Sequence, residues 1–305
     1  MNDLVHSISP ATHTQSNIYQ LRRQNFVVPS PYQGMMLFIH YNILNIASAV
    51  FLVYYLQTCF SSYSFRAQNI PFECLFHRTF SLLDILENNM EALKVNDTLF
   101  KGSHSTEDLL KYYNNWAQTG KYDEHLSVDN GYKGPHITAQ AAAEVFEPNR
   151  RPTVQILDVA AGTGKVSQEL RQLGFTNIDA LDPSGSMLAQ ARKKNLYNNY
   201  ICDFLSEYTM PARNAFYDCI TTSGGFGLGH IPADALHDLI RLTKKGGYII
   251  IAMREEYIYM SCYNDILEPL MRKLENEQKW QMVQRTVIQE YAFNKTGVLY
   301  IFEVS

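Results

Sequence analysis

The chain has 305 residues, 46% hydrophobic and 18% charged, with a formal net charge of -4. That length has room for one large domain or a mid-sized domain with an appendage, and the acidic balance argues against a phosphate-steered partner, so no nucleic acid is expected. Cys59, Cys74, Cys202, Cys219 and Cys262 are odd in number and form no C-x-x-C pair, so no disulfide framework and no metal site is expected; Cys202 and Cys219 sit in apolar runs, as buried inert thiols do.

Between Arg23 and Arg66 there is no Asp, Glu, Lys or Arg, and residues 35–57 are apolar enough and long enough to span a bilayer. His40, Asn42 and Asn45 interrupt the first half of this stretch, each needing a partner in hydrocarbon. Three readings stay open: a membrane anchor, a helix packed on a soluble domain, or an upstream stretch without a fold role. The last is suggested by Met90, where the composition becomes ordinary and charged. The division expected is an N-terminal extension over 1–104 and a catalytic domain over 105–305, the latter in the cytoplasm.

Beyond Thr106 the chain alternates. A helix is expected over Glu107–Trp116, a loop at Gly131, Gly134 and Pro135, and a helix over Ile137–Phe146. A strand at Val154–Val159, a helix at Val166–Leu173 and a strand at Asn177–Leu181 follow. Next come a helix at Ser186–Lys194, strands at Tyr200–Cys202 and Tyr217–Thr222, and a helix at Ala233–Thr243 stopped by Gly246 and Gly247. Tyr248–Met253 reads as a buried strand, and Val283–Phe293 with Gly297–Val304 as a hairpin turning at Asn294-Lys295-Thr296. The result is an α/β, Rossmann-like fold: a seven-stranded, mostly parallel sheet with a C-terminal antiparallel hairpin, preceded by an apolar N-terminal segment. The first strand should lie centrally.

That strand ends in Asp158 and opens into Ala160-Ala161-Gly162-Thr163-Gly164, a turn small enough for close approach of a nucleotide-like ligand. A P-loop fails, because Gly164-Lys165 is followed by Val166 and Val159 occupies the position of the first glycine. A dinucleotide turn lacks its third glycine, since Lys165, Val166 and Ser167 follow. Asp158 would also repel a phosphate. A cationic ligand without phosphate remains.

These residues resemble the first motif, (D/E)-x-G-x-G-x-G, of the class I S-adenosylmethionine-dependent methyltransferases, with alanine for the first glycine. The resemblance implies S-adenosyl-L-methionine as cofactor. It implies Asp158 near the ammonium end, with Ala160, Gly162 and Gly164 forming the turn. Asp182 would bind the ribose hydroxyls, Met187 wall the adenine, and Asp203 with the Phe204 amide read its amino group. Thr222 and Ser223 would face the amino acid portion. A closer resemblance, through Tyr112–His125, is to the methyltransferase-like proteins named for the Williams–Beuren chromosomal region, and implies Tyr122 as a lid residue.

No acceptor signature is evident. The N-P-P-Y tetrapeptide of base-amino methyltransferases is replaced by the run from Thr222 to His230, whose glycines suit a small or flat acceptor. His230 and Tyr122 are the catalytic candidates. The expected activity is methyl transfer to a small molecule; the alternative is a catalytically silent, cofactor-binding protein acting through partners, tethered to a membrane if residues 35–57 are an anchor.

Overall fold

A computed structural model describes residues 104–205 and 214–305, with Lys94, Val95 and Leu99; all lie within the unit Thr79–Ser305. The apolar stretch 35–57, with Cys59 and Cys74, lies outside the described residues. Among the described residues no helix is long and apolar enough to cross a membrane.

Seven strands form one sheet in the order β3-β2-β1-β4-β5-β7-β6. They are β1 (Gln155–Val159), β2 (Asn177–Leu181), β3 (Tyr200–Ile201), β4 (Tyr217–Ser223), β5 (Thr243–Arg254), β6 (Trp280–Ala292) and β7 (Lys295–Val304). Strands β1 to β5 run parallel, and β7 pairs antiparallel with both β5 and β6. Both faces of the parallel part are covered, which is why residues 248–253 of β5 read as an unbroken apolar run. Ile156, Ile178, Ala180, Cys219 and Ile250 face one core. Leu157, Leu181, Ile220, Ile249 and Ile251 face the other. Burying each isoleucine or leucine stabilises the fold by roughly 1.5–3 kcal/mol. Edge strand β6 alternates half-buried and exposed residues along most of its length, as a strand with one wet face does.

The first core is closed by α3 (Gly134–Val145), α4 (Lys165–Gln172) and α5 (Gly185–Lys193), and the second by α6 (Leu236–Leu242) and α7 (Leu267–Asn276). Helices α1 (Thr106–Thr119) and α2 (Lys121–His125) precede them. Ser105 caps α1 by accepting the Asp108 amide at 3.1 Å, and Gly120, at φ 75°, ends it and turns the chain into α2.

Several boundaries differ from expectation. Gly134 and Pro135 open α3 rather than lying in a loop, because proline tolerates the first helical turn. The helix α6 stops at Leu242, and Gly246-Gly247 do not end it. They belong to a bulge at the start of β5, where Thr243 pairs with Tyr217 but Tyr248 with Cys219, so four residues face one. The hairpin turns on two residues, Phe293 (φ 51°) and Asn294 (φ 59°), with Ala292 paired to Lys295; two consecutive positive φ angles give the twist that two-residue hairpins require. Helix α7 adds an element beyond those expected. Cys219 is buried, but Cys202 is exposed, because it lies just past the short β3 rather than within a strand.

Candidate active site

In the strand order, β2 and β4 leave β1 on opposite sides, and a crevice forms at their carboxyl ends. The turn after β1 lies on its floor. Ala160 and Gly162 both adopt φ 55°, and the Gly162 amide donates to Oδ2 of Asp182 at 2.8 Å, binding the turn to the end of β2. A Cβ on Gly162 would point at the Tyr122 hydroxyl, 3.4 Å away, so this glycine faces the cavity. Gly164 does not. Its absent side chain makes room for Leu196 and Tyr197, so the second glycine serves the packing of the protein's own loop.

The acids divide in the same way. Asp182 lines the cavity; Oδ1 accepts the Ser184 amide at 2.8 Å while Oδ2 holds Gly162. Burial raises its pKa to about 6, opposed by the two amides. Asp158 is fully buried and does not line the cavity: Tyr197 donates to Oδ2 at 2.6 Å and Thr221 to Oδ1 at 3.1 Å. Burial raises its carboxyl to about 7 against those two bonds. Asp203 and Phe204 line the cavity, with the Phe204 amide donating to Asp203 Oδ1 at 2.8 Å. Met187 lines it too, from the first turn of α5, where Ser184 accepts its amide at 3.1 Å.

Helices α1 and α2 form the roof. Tyr113, Trp116 and Tyr122 line the cavity, and Trp116 meets the Tyr122 ring edge-on at 4.8 Å. Asp123 fastens the roof to the floor: Thr163 donates to it at 2.5 Å, Lys194 at 2.5 Å, and Lys165 lies 3.5 Å away. Burial works against ionisation of Asp123, but these bonds and charges hold its carboxyl below the usual range.

The far wall comes from β4, β5 and the hairpin. Ser223 lines it, its hydroxyl 3.2 Å from that of Tyr132 and 3.3 Å from that of Tyr291. Thr222 is buried beneath and does not line the cavity, and its hydroxyl has no hydrogen-bond partner among the described residues. His230 lines the wall. Its Nδ1 lies 2.9 Å from the Leu228 carbonyl, which can only accept, so in the neutral ring Nε2 accepts the Tyr113 hydroxyl at 2.8 Å. Burial lowers the His230 pKa, keeping the ring neutral. The structure thus brings Tyr122, Ala160, Gly162, Asp182, Met187, Asp203, Phe204, Ser223 and His230 to one cavity, and leaves Asp158, Gly164 and Thr222 behind its walls.

Sequence reasoning missed Tyr113, Trp116, Tyr132, Arg254, Tyr257 and Tyr291, all of which line the cavity. The Tyr112-Tyr113 pair with Trp116 carried a signal, since residues three and four apart share a helix face. Arg254 carried only its place at the end of a strand.

A family model described as a methyltransferase domain matches residues 156–247. The human methyltransferase-like protein 27 is 29% identical over 184 residues, covering 59% of this chain and 73% of that protein. A demethylmenaquinone methyltransferase of Chlorobaculum tepidum is 33% identical over 134 residues, covering 42% of this chain and 51% of that enzyme; the chain thus spans about half of that relative's length. In fold, the chain resembles the Synechocystis magnesium protoporphyrin IX methyltransferase crystallised with bound S-adenosylmethionine, at a TM-score of 0.50 and 14% identity, covering 67% of this chain and 99% of the other. With the sheet order and glycine turn, these matches define a class I S-adenosylmethionine-dependent methyltransferase. S-adenosylmethionine is its cofactor. Its sequence is similar to the methyltransferase-like group that includes the human protein.

Proposed function

We propose that the chain methylates a small molecule held between the glycine turn and the far wall, under the α1–α2 roof. The observation that carries this reading is Asp182. Each of its oxygens has accepted one backbone amide, so each keeps a lone pair for the cavity, and two adjacent hydroxyls of a ribose fit that pair. Met187 and Phe204 then suit the faces of an adenine, and Asp203 its amino group. Ser223 and the turn flank the amino acid portion, with Tyr122 above. Asp158 acts from below, as a buried acid that sets the turn rather than as a direct contact.

When bound, the cofactor supplies a methyl group on a sulfonium, which leaves as a neutral thioether. The residues of this chain do the rest. The turn and the roof orient the reacting partners and exclude water, and positioning of this kind supplies much of the acceleration in displacement reactions. Where the acceptor must lose a proton, the Tyr113 hydroxyl can take it while passing its own to Nε2 of neutral His230. The small-molecule assignment is supported by relatives named for demethylmenaquinone and for ubiquinone/menaquinone C-methylation.

Titration calorimetry with S-adenosylmethionine, followed by a small-molecule acceptor screen with a labelled methyl donor, tests the proposal. Saturable binding and label in a small product are expected. Label appearing only in protein would overturn the small-molecule reading.

A further inference from the structure

Tyrosines of the far wall and the roof turn their protons away from the cavity. Tyr291 is buried and donates its hydroxyl to the Ala252 carbonyl at 3.0 Å, an oxygen that can only accept. The Tyr291 oxygen is then left to accept from Ser223, 3.3 Å away, and Ser223 in turn accepts from Tyr132 at 3.2 Å. That direction uses all three contacts, whereas donation from Ser223 to Tyr132 would leave the Ser223–Tyr291 contact without a proton. Tyr113 is in the same state. Its proton goes to Nε2 of His230 at 2.8 Å, because Nδ1 carries the proton that faces the Leu228 carbonyl. Tyr132 and Tyr113 both line the cavity, and burial raises the pKa of each, so both stay neutral. Each offers the cavity lone pairs and no proton.

The chain makes room for this arrangement. A Cβ on Gly134 would lie 2.6 Å from Ser223 Oγ and 2.7 Å from the Tyr291 hydroxyl, and a Cβ on Gly224 would lie 2.8 Å from that of Tyr132. The neighbouring lining is aromatic and apolar, from Tyr257, Phe293, Leu109 and Ile231. Arg254, which also lines the cavity, is paired with Glu256 at 3.2 Å, so these walls call for hydrogen-bond donors rather than for charge.

Resting on the small-molecule reading and on the adenosine lying at the Asp182 end, we propose that the acceptor is an aromatic compound with hydroxyl groups on its ring, and that Tyr132 and Tyr113 determine this specificity by accepting hydrogen bonds from those hydroxyls. A compound of the same shape without those protons leaves the tyrosine oxygens unpaired and binds more weakly. The ammonium of the cofactor is a donor too, so the two sources must be separated by experiment.

The test uses the full chain saturated with S-adenosylhomocysteine and measures dissociation constants by ligand-observed NMR for size-matched probes: catechol against 1,2-difluorobenzene, and 2-naphthol against 2-fluoronaphthalene. At least one hydroxyl probe should bind about fivefold tighter or more than its fluoro partner, the gain expected from neutral hydrogen bonds. Tyr132→Phe and Tyr113→Phe keep the rings, and each should lower that ratio by about threefold, with affinity for S-adenosylhomocysteine unchanged within about twofold. Equal or reversed binding within both pairs, or no binding of any probe, overturns the inference without any variant having to fold. A ratio unmoved in either variant overturns the role of that tyrosine. Displacement of S-adenosylhomocysteine by the probes, or loss of its affinity in Tyr132→Phe, overturns the inference too, by assigning Tyr132 to the cofactor's ammonium. Failure of the wild-type chain to bind S-adenosylhomocysteine would instead remove the cofactor assignment on which the inference rests.

Discussion

Tyr197 donates its hydroxyl to Oδ2 of Asp158 at 2.6 Å, beneath the glycine turn and out of contact with the cavity. Burial raises Asp158 from 3.8 to about 7, so between those values the folded chain binds a proton that the unfolded chain has released. Stability from this group is therefore fully present below pH 4 and is lost as pH rises towards 7, with a slope approaching about 1.4 kcal/mol per pH unit. Asp158→Asn should flatten the slope in urea unfolding across that window. Tyr197→Phe removes a bond that favours the carboxylate and should extend the window upward. A slope unchanged in Asp158→Asn would assign the proton elsewhere.

Asp182→Ala removes the acceptor for two backbone amides and, in the proposed site, for two hydroxyls. Hydrogen bonds to charged groups contribute roughly 1.5–3 kcal/mol each, so affinity for S-adenosylmethionine should fall by about 30-fold or more. Calorimetry measures this, and circular dichroism checks that the fold survives. An unchanged affinity would place the ribose elsewhere.

Asp123→Ala releases the fastening between roof and floor. Its partners are partly exposed, so water screens them and the change in cofactor affinity should be modest, about two- to fivefold. Faster limited proteolysis near Gly120, where α1 turns into α2, should accompany it. If neither changes, the fastening is not what holds the roof.

Ala160 and Gly225 are coupled. A Cβ on Gly225 would lie 2.9 Å from that of Ala160, 2.8 Å from Ile231 Cδ1 and 2.5 Å from the Thr222 hydroxyl. Gly225→Ala should destabilise by roughly 1–3 kcal/mol, as overpacking does. Ala160→Gly relieves a left-handed alanine, worth about 1 kcal/mol, and should recover part of the Gly225→Ala loss. A double-mutant cycle by chemical denaturation reads the coupling.

The parallel core was legible because strands buried on both faces leave unbroken apolar runs between helical stretches, and β2 fell at its expected limits, Asn177–Leu181. Helix α7 carries a readable stripe, with Leu267, Met271 and Leu274 all buried at helical spacing. The hairpin turn was misplaced because phenylalanine at a positive φ has no local signature; Phe293 is held there by its burial in the core. Within the site, Asp182 and Gly162 announced themselves by spacing. Gly164 matched the same pattern for a different reason, since only the packing of Leu196 and Tyr197 reveals what its missing side chain accommodates. Arg254 and Tyr257 become neighbours of Ser223 only once β5 lies beside β4, a long-range fact with no trace in their own stretch of chain.

The fastening at Asp123 is electrostatic, unlike the rest of the roof. Its lysines come from Lys165, which opens α4, and Lys194, which follows α5, while the rest of the roof leans on apolar contacts through Trp116 and Tyr122. Dissolved ions weaken attraction between charges near water but leave apolar contact almost untouched. Residence time of a ligand beneath the roof is therefore expected to shorten as ionic strength rises, which release kinetics across a salt series would measure.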